Sequence, residues 1–281
     1  MRYRPFLILM TLAVVAAVSL ASCGGDGNGN GGQAPGNISS LPSRIYMLAA
    51  ENGVLTPLDT PDAENSIAEG SAWELTLEGL KPGALWYTDR PGREVGNTPL
   101  SDYVDLLWTL VYGRIDPNAT IHFSLAAGGE QDGVYLVLSK PSYDPKANTM
   151  SFQAEMLNHT LDRTPDHRLN LYDVTVNVLN NARDDREVAS YIQYADGADL
   201  QPWGTEGEYQ LVLNQAGPEM FWVDNAPGRY SDKAPMSYFF PQWDYLFGDD
   251  APNAALFGTT AAGELKLYFL TLTDPLYDEE L

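Results

Sequence analysis

Apolar and polar residues alternate through much of the chain. In 73–78, Trp73, Leu75 and Leu77 fall on one side and Glu74, Thr76 and Glu78 on the other. That period of two is the mark of a half-buried strand. Residues 171–178 repeat it. Further strands are expected at 44–49, 85–88, 120–125, 134–138, 149–157, 188–194, 209–213, 220–223, 255–259 and 265–273. Turn-forming residues separate them, as in antiparallel sheets. Two segments break the period. Thr98-Pro99 predicts an N-cap followed by proline at the first helical position. Tyr103, Leu106, Leu107, Leu110 and Val111 then form an apolar face, and Gly113 ends it. A shorter helix is expected over 241–247, ended by Gly248.

The pattern occurs twice. Leu75, Leu77, Pro82, Trp86 and Pro91-Gly92-Arg93 recur 136 residues later as Leu211, Leu213, Pro218, Trp222 and Pro227-Gly228-Arg229. Pro99 and Ser101 match Pro235 and Ser237, after which the second copy loses one residue. Trp108, Gly113 and Pro117-Asn118-Ala119 then match Trp243, Gly248 and Pro252-Asn253-Ala254. A second single loss precedes the match of Tyr143-Asp144 to Tyr277-Asp278. Ordered identities over 73–144 and 209–278 describe a tandem duplication of domain-sized units. The expected fold class is mainly β: two tandem homologous antiparallel sandwich-like domains, each with a short helix. Expected boundaries are 44–163 and 164–281. The first copy continues into a strand at 149–157 that the second copy lacks, so either domain 2 lacks a strand or an earlier segment, 171–179 or 44–49, supplies it.

The N-terminus reads differently. Met1-Arg2-Tyr3-Arg4 is basic, 6–20 is apolar, and Leu20-Ala21-Ser22-Cys23 follows. Basic start, short apolar run and small-residue cleavage site describe a secretory signal peptide over 1–22. The apolar run is shorter than the ~20 residues that span a bilayer. The last four residues resemble the bacterial lipobox. That resemblance implies cleavage after Ser22, diacylation of Cys23 and attachment to a membrane outside the cytoplasm. Gly24, where sorting rules would place aspartate for retention, points to the outer membrane if the cell has one. Residues 23–43, rich in glycine and asparagine, read as a flexible tether.

Charge excludes some partners. The chain has 16 basic and 38 acidic residues. Removing Arg2 and Arg4 leaves 14 minus 38, or −24. Nucleic acid and anionic lipid surfaces are disfavoured as partners of such a surface. Cys23 is the only cysteine, so once it is lipidated no disulfide forms.

The string Asp89-Arg90-Pro91-Gly92-Arg93, then Trp108, then Asp116-Pro117-Asn118-Ala119 resembles a repeat of uncharacterised bacterial secreted proteins and lipoproteins. The resemblance covers 73–144 well and 209–278 less well, because Asn225-Ala226 replaces Asp89-Arg90. It supports the domain reading and transfers no catalytic residue.

Chemistry is sparse. The paired tryptophans, Trp86 with Trp222 and Trp108 with Trp243, are expected in the core rather than on a carbohydrate platform. The candidate ligand surface is Asp89, Arg90, Arg93 and Asp116, because domain 1 alone carries this set. A salt-bridged loop is the plainer alternative. Three histidines, His122, His159 and His167, make a poor metal set. No cofactor is implied, although the clustered acids would admit calcium. No nucleophile elbow or phosphate loop occurs. The expected function is a membrane-anchored extracytoplasmic binding or structural module of the cell envelope, with a glycan or protein ligand. An envelope glycan hydrolase using paired carboxylates is the alternative; catalysis is the less favoured reading.

Overall fold

The computed structural model describes residues 12–13, 44–58, 71–88, 92–127, 129, 131–159, 161, 167–179, 189–260 and 265–277. Its strands are β1 (Leu12–Ala13), β2 (Arg44–Pro57), β3 (Ala72–Leu80), β4 (Ala84–Thr88), β5 (Val95–Thr98), β6 (Asn118–Ser124), β7 (Gln131–Asp144), β8 (Thr149–His159), β9 (Leu169–Val178), β10 (Ala189–Ile192), β11 (Ala195–Pro202), β12 (Tyr209–Ala216), β13 (Glu219–Asp224), β14 (Ser231–Pro235), β15 (Asn253–Thr259) and β16 (Leu265–Thr271).

The first half is a closed barrel. Strands run in the order β3-β8-β7-β6-β9-β2, and β2 pairs back onto β3. Closure removes the sheet edges. Alternation sets the inside: Trp73, Leu75 and Leu77 of β3, Ala119, Ile121 and Phe123 of β6, and Met150 and Phe152 of β8 share one core. The start of β2 leaves the barrel to pair with β4, and β4 carries β5. This barrel with an added hairpin replaces the expected sandwich. β9 lies between β2 and β6. Segments 171–179 and 44–49, candidates for completing domain 2, are both placed in the sheet of the first half.

The helical stretch 100–112 plugs the barrel core. It starts at Leu100, with Pro99 as N-cap and no side-chain cap; Thr98 ends β5 instead of capping. A π-turn occupies Tyr103–Leu107. Such a turn absorbs one extra residue in a helix, and this is where the first copy is one residue longer. The turn also rotates the apolar face. Tyr103, Trp108 and Tyr112 are buried, while Leu106 and Leu110, expected inward, are exposed. The second stretch, 236–247, is longer than expected, with Pro241 accommodated in a 3-10 turn at Phe240–Gln242.

The second half repeats the register of the first. Ala84 faces Thr98 and Trp86 faces Gly96; 136 residues on, Met220 faces Ala234 and Trp222 faces Asp232. Asn118 faces Val137 as Asn253 faces Thr271. β10 and β11 together take the part of β2. Met47 faces Leu85 and Ala50 faces Leu80, while Ile192 faces Phe221 and Ala195 faces Ala216. Among the described residues, however, nothing takes the part of β8. Among the described residues, β1 alone stands in the place of β9, where Leu12 faces Tyr191 and Ala13 faces Ser190. The consequence shows at Tyr209. Its counterpart, Trp73, is fully buried opposite Ala154 of β8, whereas Tyr209 is 54% exposed.

Candidate functional site

The motifs singled out in the sequence converge between the two halves. Arg93 reaches across to donate to Asn253 Oδ1 at 2.5 Å and to the Ala251 carbonyl and Asp250 Oδ1 at 2.9 Å. Asn253 returns two bonds from Nδ2, to the carbonyls of Thr88 at 2.8 Å and Gly92 at 2.7 Å. The matching residues do the reverse. Arg229 donates to Asn118 Oδ1 and to the Asp116 carbonyl. Asn118 donates to the carbonyls of Asp224 at 2.7 Å and Gly228 at 2.8 Å. Gly92-Arg93 and Gly228-Arg229 thus each clasp the Pro-Asn-Ala turn of the other half. Such reciprocity is the signature of a two-fold, isologous contact.

Residue type follows from this geometry. The side-chain amide of asparagine donates twice and still accepts from an arginine, which no shorter polar residue does. The loop needs its glycine as well: a Cβ on Gly228 would sit 2.7 Å from Asp224 Oδ2. Burial lowers the pKa of Arg229, and Glu155 and Asp116 oppose that effect. The group stays cationic, as guanidinium does in proteins.

Between the two clasps lies an apolar layer. Ile45, Met47, Tyr87 and Tyr135 meet Ile192, Val223, Ala255 and Phe257. Phe269 packs on Tyr87 with ring centroids 5.4 Å apart. His122 and Phe257, matching positions in the two copies, face each other at 6.3 Å. His122 is fully buried; its Nδ1 lies 2.6 Å from the Tyr194 hydroxyl and its Nε2 3.1 Å from Thr120 Oγ1. Burial drives its pKa down to about 3.

This has a pH consequence. The unfolded histidine titrates near 6.5, so below that pH the unfolded chain binds a proton that the folded chain refuses. The resulting stability is complete above pH ~6.5 and is lost as pH falls toward 3, at up to ~1.4 kcal/mol per unit. Denaturant melts of parent and His122→Phe between pH 7 and 3.5 check it. The variant is expected to show the shallower acid decline; equal slopes would remove His122 as the cause.

Other predicted groups lie apart from the junction. Trp108 and Trp243 are buried. Trp86 is half-buried, with the Arg44 guanidinium 3.8 Å above its ring and Gly96 beneath, where a Cβ would come within 2.4 Å. Trp222 is also half-buried. Cys23, Asp89 and Arg90 lie outside the described residues, as do Asp162, Asp166, Asp184 and Asp185. Among the described residues no three metal-ligating groups gather, and no helix is long and apolar enough to cross a membrane. Of the acids, Asp199 accepts a bond from Asn214 and Asp250 pairs with Arg93.

The second half exposes more aromatic surface. Trp203, Tyr209, Tyr230, Tyr238, Tyr245 and Tyr268 are all exposed. Next to Trp243, the rings of Phe240 and Tyr277 stack nearly parallel, with centroids 5.6 Å apart. No family model, curated protein or solved structure matches the chain.

Proposed function

We propose that this chain is a lipid-anchored, extracytoplasmic binding module of the cell envelope, made by tandem duplication of one β domain. The observation that carries the anchoring is Leu20-Ala21-Ser22-Cys23, placed after a basic start and an apolar run and before a glycine-rich tether. Acyl chains on Cys23 would hold the protein at the membrane, since each buried CH₂ adds ~0.8 kcal/mol. Duplication is supported by the equal strand registers and by the reciprocal clasps, which need the same two motifs in each copy. Binding is supported by the exposed aromatics of the second domain, large flat groups suited to a glycan or protein surface. Arg93 and Asp116, read first as ligand residues with Asp89 and Arg90, serve the junction in this account. Asp89 and Arg90 immediately precede its loop in sequence.

The test is metabolic labelling with a fatty acid in cells making the full chain. The parent is expected to take up label and to lose residues 1–22. Cys23→Ser is expected to take up none and to remain unprocessed or be released. Equal label on both would overturn the anchoring.

A further inference from the structure

An open cleft of about 400 Å³ lies in the second half, between the helical stretch 236–247 and the segment that follows β16. Phe240, Trp243 and Asp244 line it from the helical stretch, and Asp274, Pro275 and Leu276 from the other side. Phe240 lies nearly parallel to Trp243, with ring centroids 6.1 Å apart, and to Tyr277, at 5.6 Å. The charged lining residues, Asp244 and Asp274, are both acids. Both are exposed, and among the described residues neither carboxylate has a hydrogen-bond or ion-pair partner. We propose that this cleft binds the guanidinium of an arginine presented by a partner polypeptide, stacked on the rings and held by Asp244 and Asp274. The inference rests on the reading of the chain as a binding module, and names where that module binds and with what chemistry.

The two copies show that the fold does not require these side chains. Asp274 has a φ of 49°, and so has its counterpart Lys140; a proline follows each. The kink belongs to the repeat, but the side chain on it differs in sign. Asp244 stands where the first copy has Thr109, Phe240 where it has Val104, and Leu276 where it has Ser142. Packing does not account for the change, since Leu276 is 96% exposed. Charge selects the occupant. The face of an aromatic ring attracts a cation, and so does a pair of carboxylates. A guanidinium answers both at once: it is planar, stacks on rings, and bonds a carboxylate through two parallel N–H groups. The molecule already makes the stacked contact within itself, where the Arg44 guanidinium lies 3.8 Å above the Trp86 ring. A neutral sugar would use the rings without calling for two acids. The exposed Leu276 at the rim, and Tyr245 next to Asp244, offer apolar surface to a larger partner that a small free amine would leave uncovered.

The test is calorimetric titration of 23–281 with Cys23→Ser, and the probe is a dodecapeptide of alternating arginine and glycine. The same peptide with citrulline for arginine keeps the planar group and loses the charge. The arginine peptide is expected to bind saturably and the citrulline peptide not to bind. Asp244→Asn with Asp274→Asn is expected to weaken binding roughly 10-fold, the loss of two charge-assisted contacts at an open site. Asp196→Asn with Glu206→Gln removes the same charge from other exposed acids, and is expected to leave binding within about 2-fold of the parent. Phe240→Leu keeps an apolar side chain without the ring and is expected to weaken binding several-fold. Equal losses in the two double variants would reduce the effect to net charge and overturn the site. Equal binding of the two peptides, or no binding of the arginine peptide, would also overturn it. Chitotetraose, a neutral glycan, separates the inference from the reading beneath it. If the parent binds chitotetraose and the Asp244, Asp274 variant does not, the cationic ligand is refuted and the binding module stands. If the parent binds neither probe, the inference fails, and the exposed aromatics lose their place as support for the module.

Discussion

Trp108→Ala is expected to destabilise the protein by ~3–5 kcal/mol, the cost of emptying a large aromatic site in a packed core. Trp108 is 6% exposed and sits at the centre of a cluster. Tyr103 meets it edge-on at 5.8 Å, Tyr112 at 4.9 Å, and Phe152 of β8 closes over it at 5.6 Å. Three aromatic partners in the barrel core therefore lose contact when the indole goes. Beside it, the hydroxyls of Tyr103 and Tyr112 are buried without a hydrogen-bond partner, and burial raises both pKa values well above the usual phenol range. Both stay neutral. Trp243→Ala is expected to cost ~1 kcal/mol less, because among the described residues no counterpart of Phe152 lies over it. Trp86→Ala should cost least of the three, since that ring is only half-buried. Urea melts of the three variants check the order. A Trp86 effect as large as that of Trp108 would contradict the assignment of the core.

Asn118→Ala is expected to cost about 3 kcal/mol. It deprives the carbonyls of Asp224 and Gly228, and the Arg229 guanidinium, of their partner. A buried polar group left without one costs ~1–3 kcal/mol. Water that reaches part of the site keeps the total below the full sum. Asn253→Ala should cost a similar amount for the same reason. Asp250→Ala is the contrast. Its pair with Arg93 is short, at 2.9 Å, but both side chains are well exposed, and such pairs are worth ~1 kcal/mol or less. The Arg93 contact to the Ala251 carbonyl also survives. An Asp250 effect equal to that of Asn118 would mean that charge, not the asparagine amides, holds the junction.

How much of this was legible varies with the physics of each element. β3 and β9 show period-two alternation because one face of each packs the barrel interior, and both were read correctly. β5 (VGNT) and β14 (SDKAP) were missed, since they are short, polar and at the edge of a hairpin. β11 was missed because ADGADLQP carries little apolar signal. Its kinship to β2 was still present in Tyr46/Tyr191, Ala50/Ala195, Leu55/Leu200 and Pro57/Pro202, all 145 residues apart. The change from 136 to 145 hid it. In the helix, a strict 3.6 period cannot anticipate a π-turn, so Leu106 and Leu110 were placed inward. A one-residue length difference between copies that keeps Trp108 and Trp243 equivalent is the signal that would have shown it. At the junction, Pro-Gly-Arg and Pro-Asn-Ala were seen as separate turns. Their joint recurrence in both copies is what a reciprocal contact demands, and it was visible in the sequence. The strand order of the barrel was not, because pairing partners far apart in the chain leave no local trace.

The reciprocal arginine–asparagine clasps join the two halves, and the halves are expected to fold as one unit. Scanning calorimetry of 23–281 with Cys23→Ser, with and without the added pair Asn118→Ala and Asn253→Ala, tests it most directly. The parent is expected to unfold in a single transition whose calorimetric and van't Hoff enthalpies agree. The variant lacking both asparagines is expected to unfold in two transitions, the closed barrel of the first half last. Two separate transitions in the parent, or one undivided transition at an unchanged temperature in the variant, would contradict it.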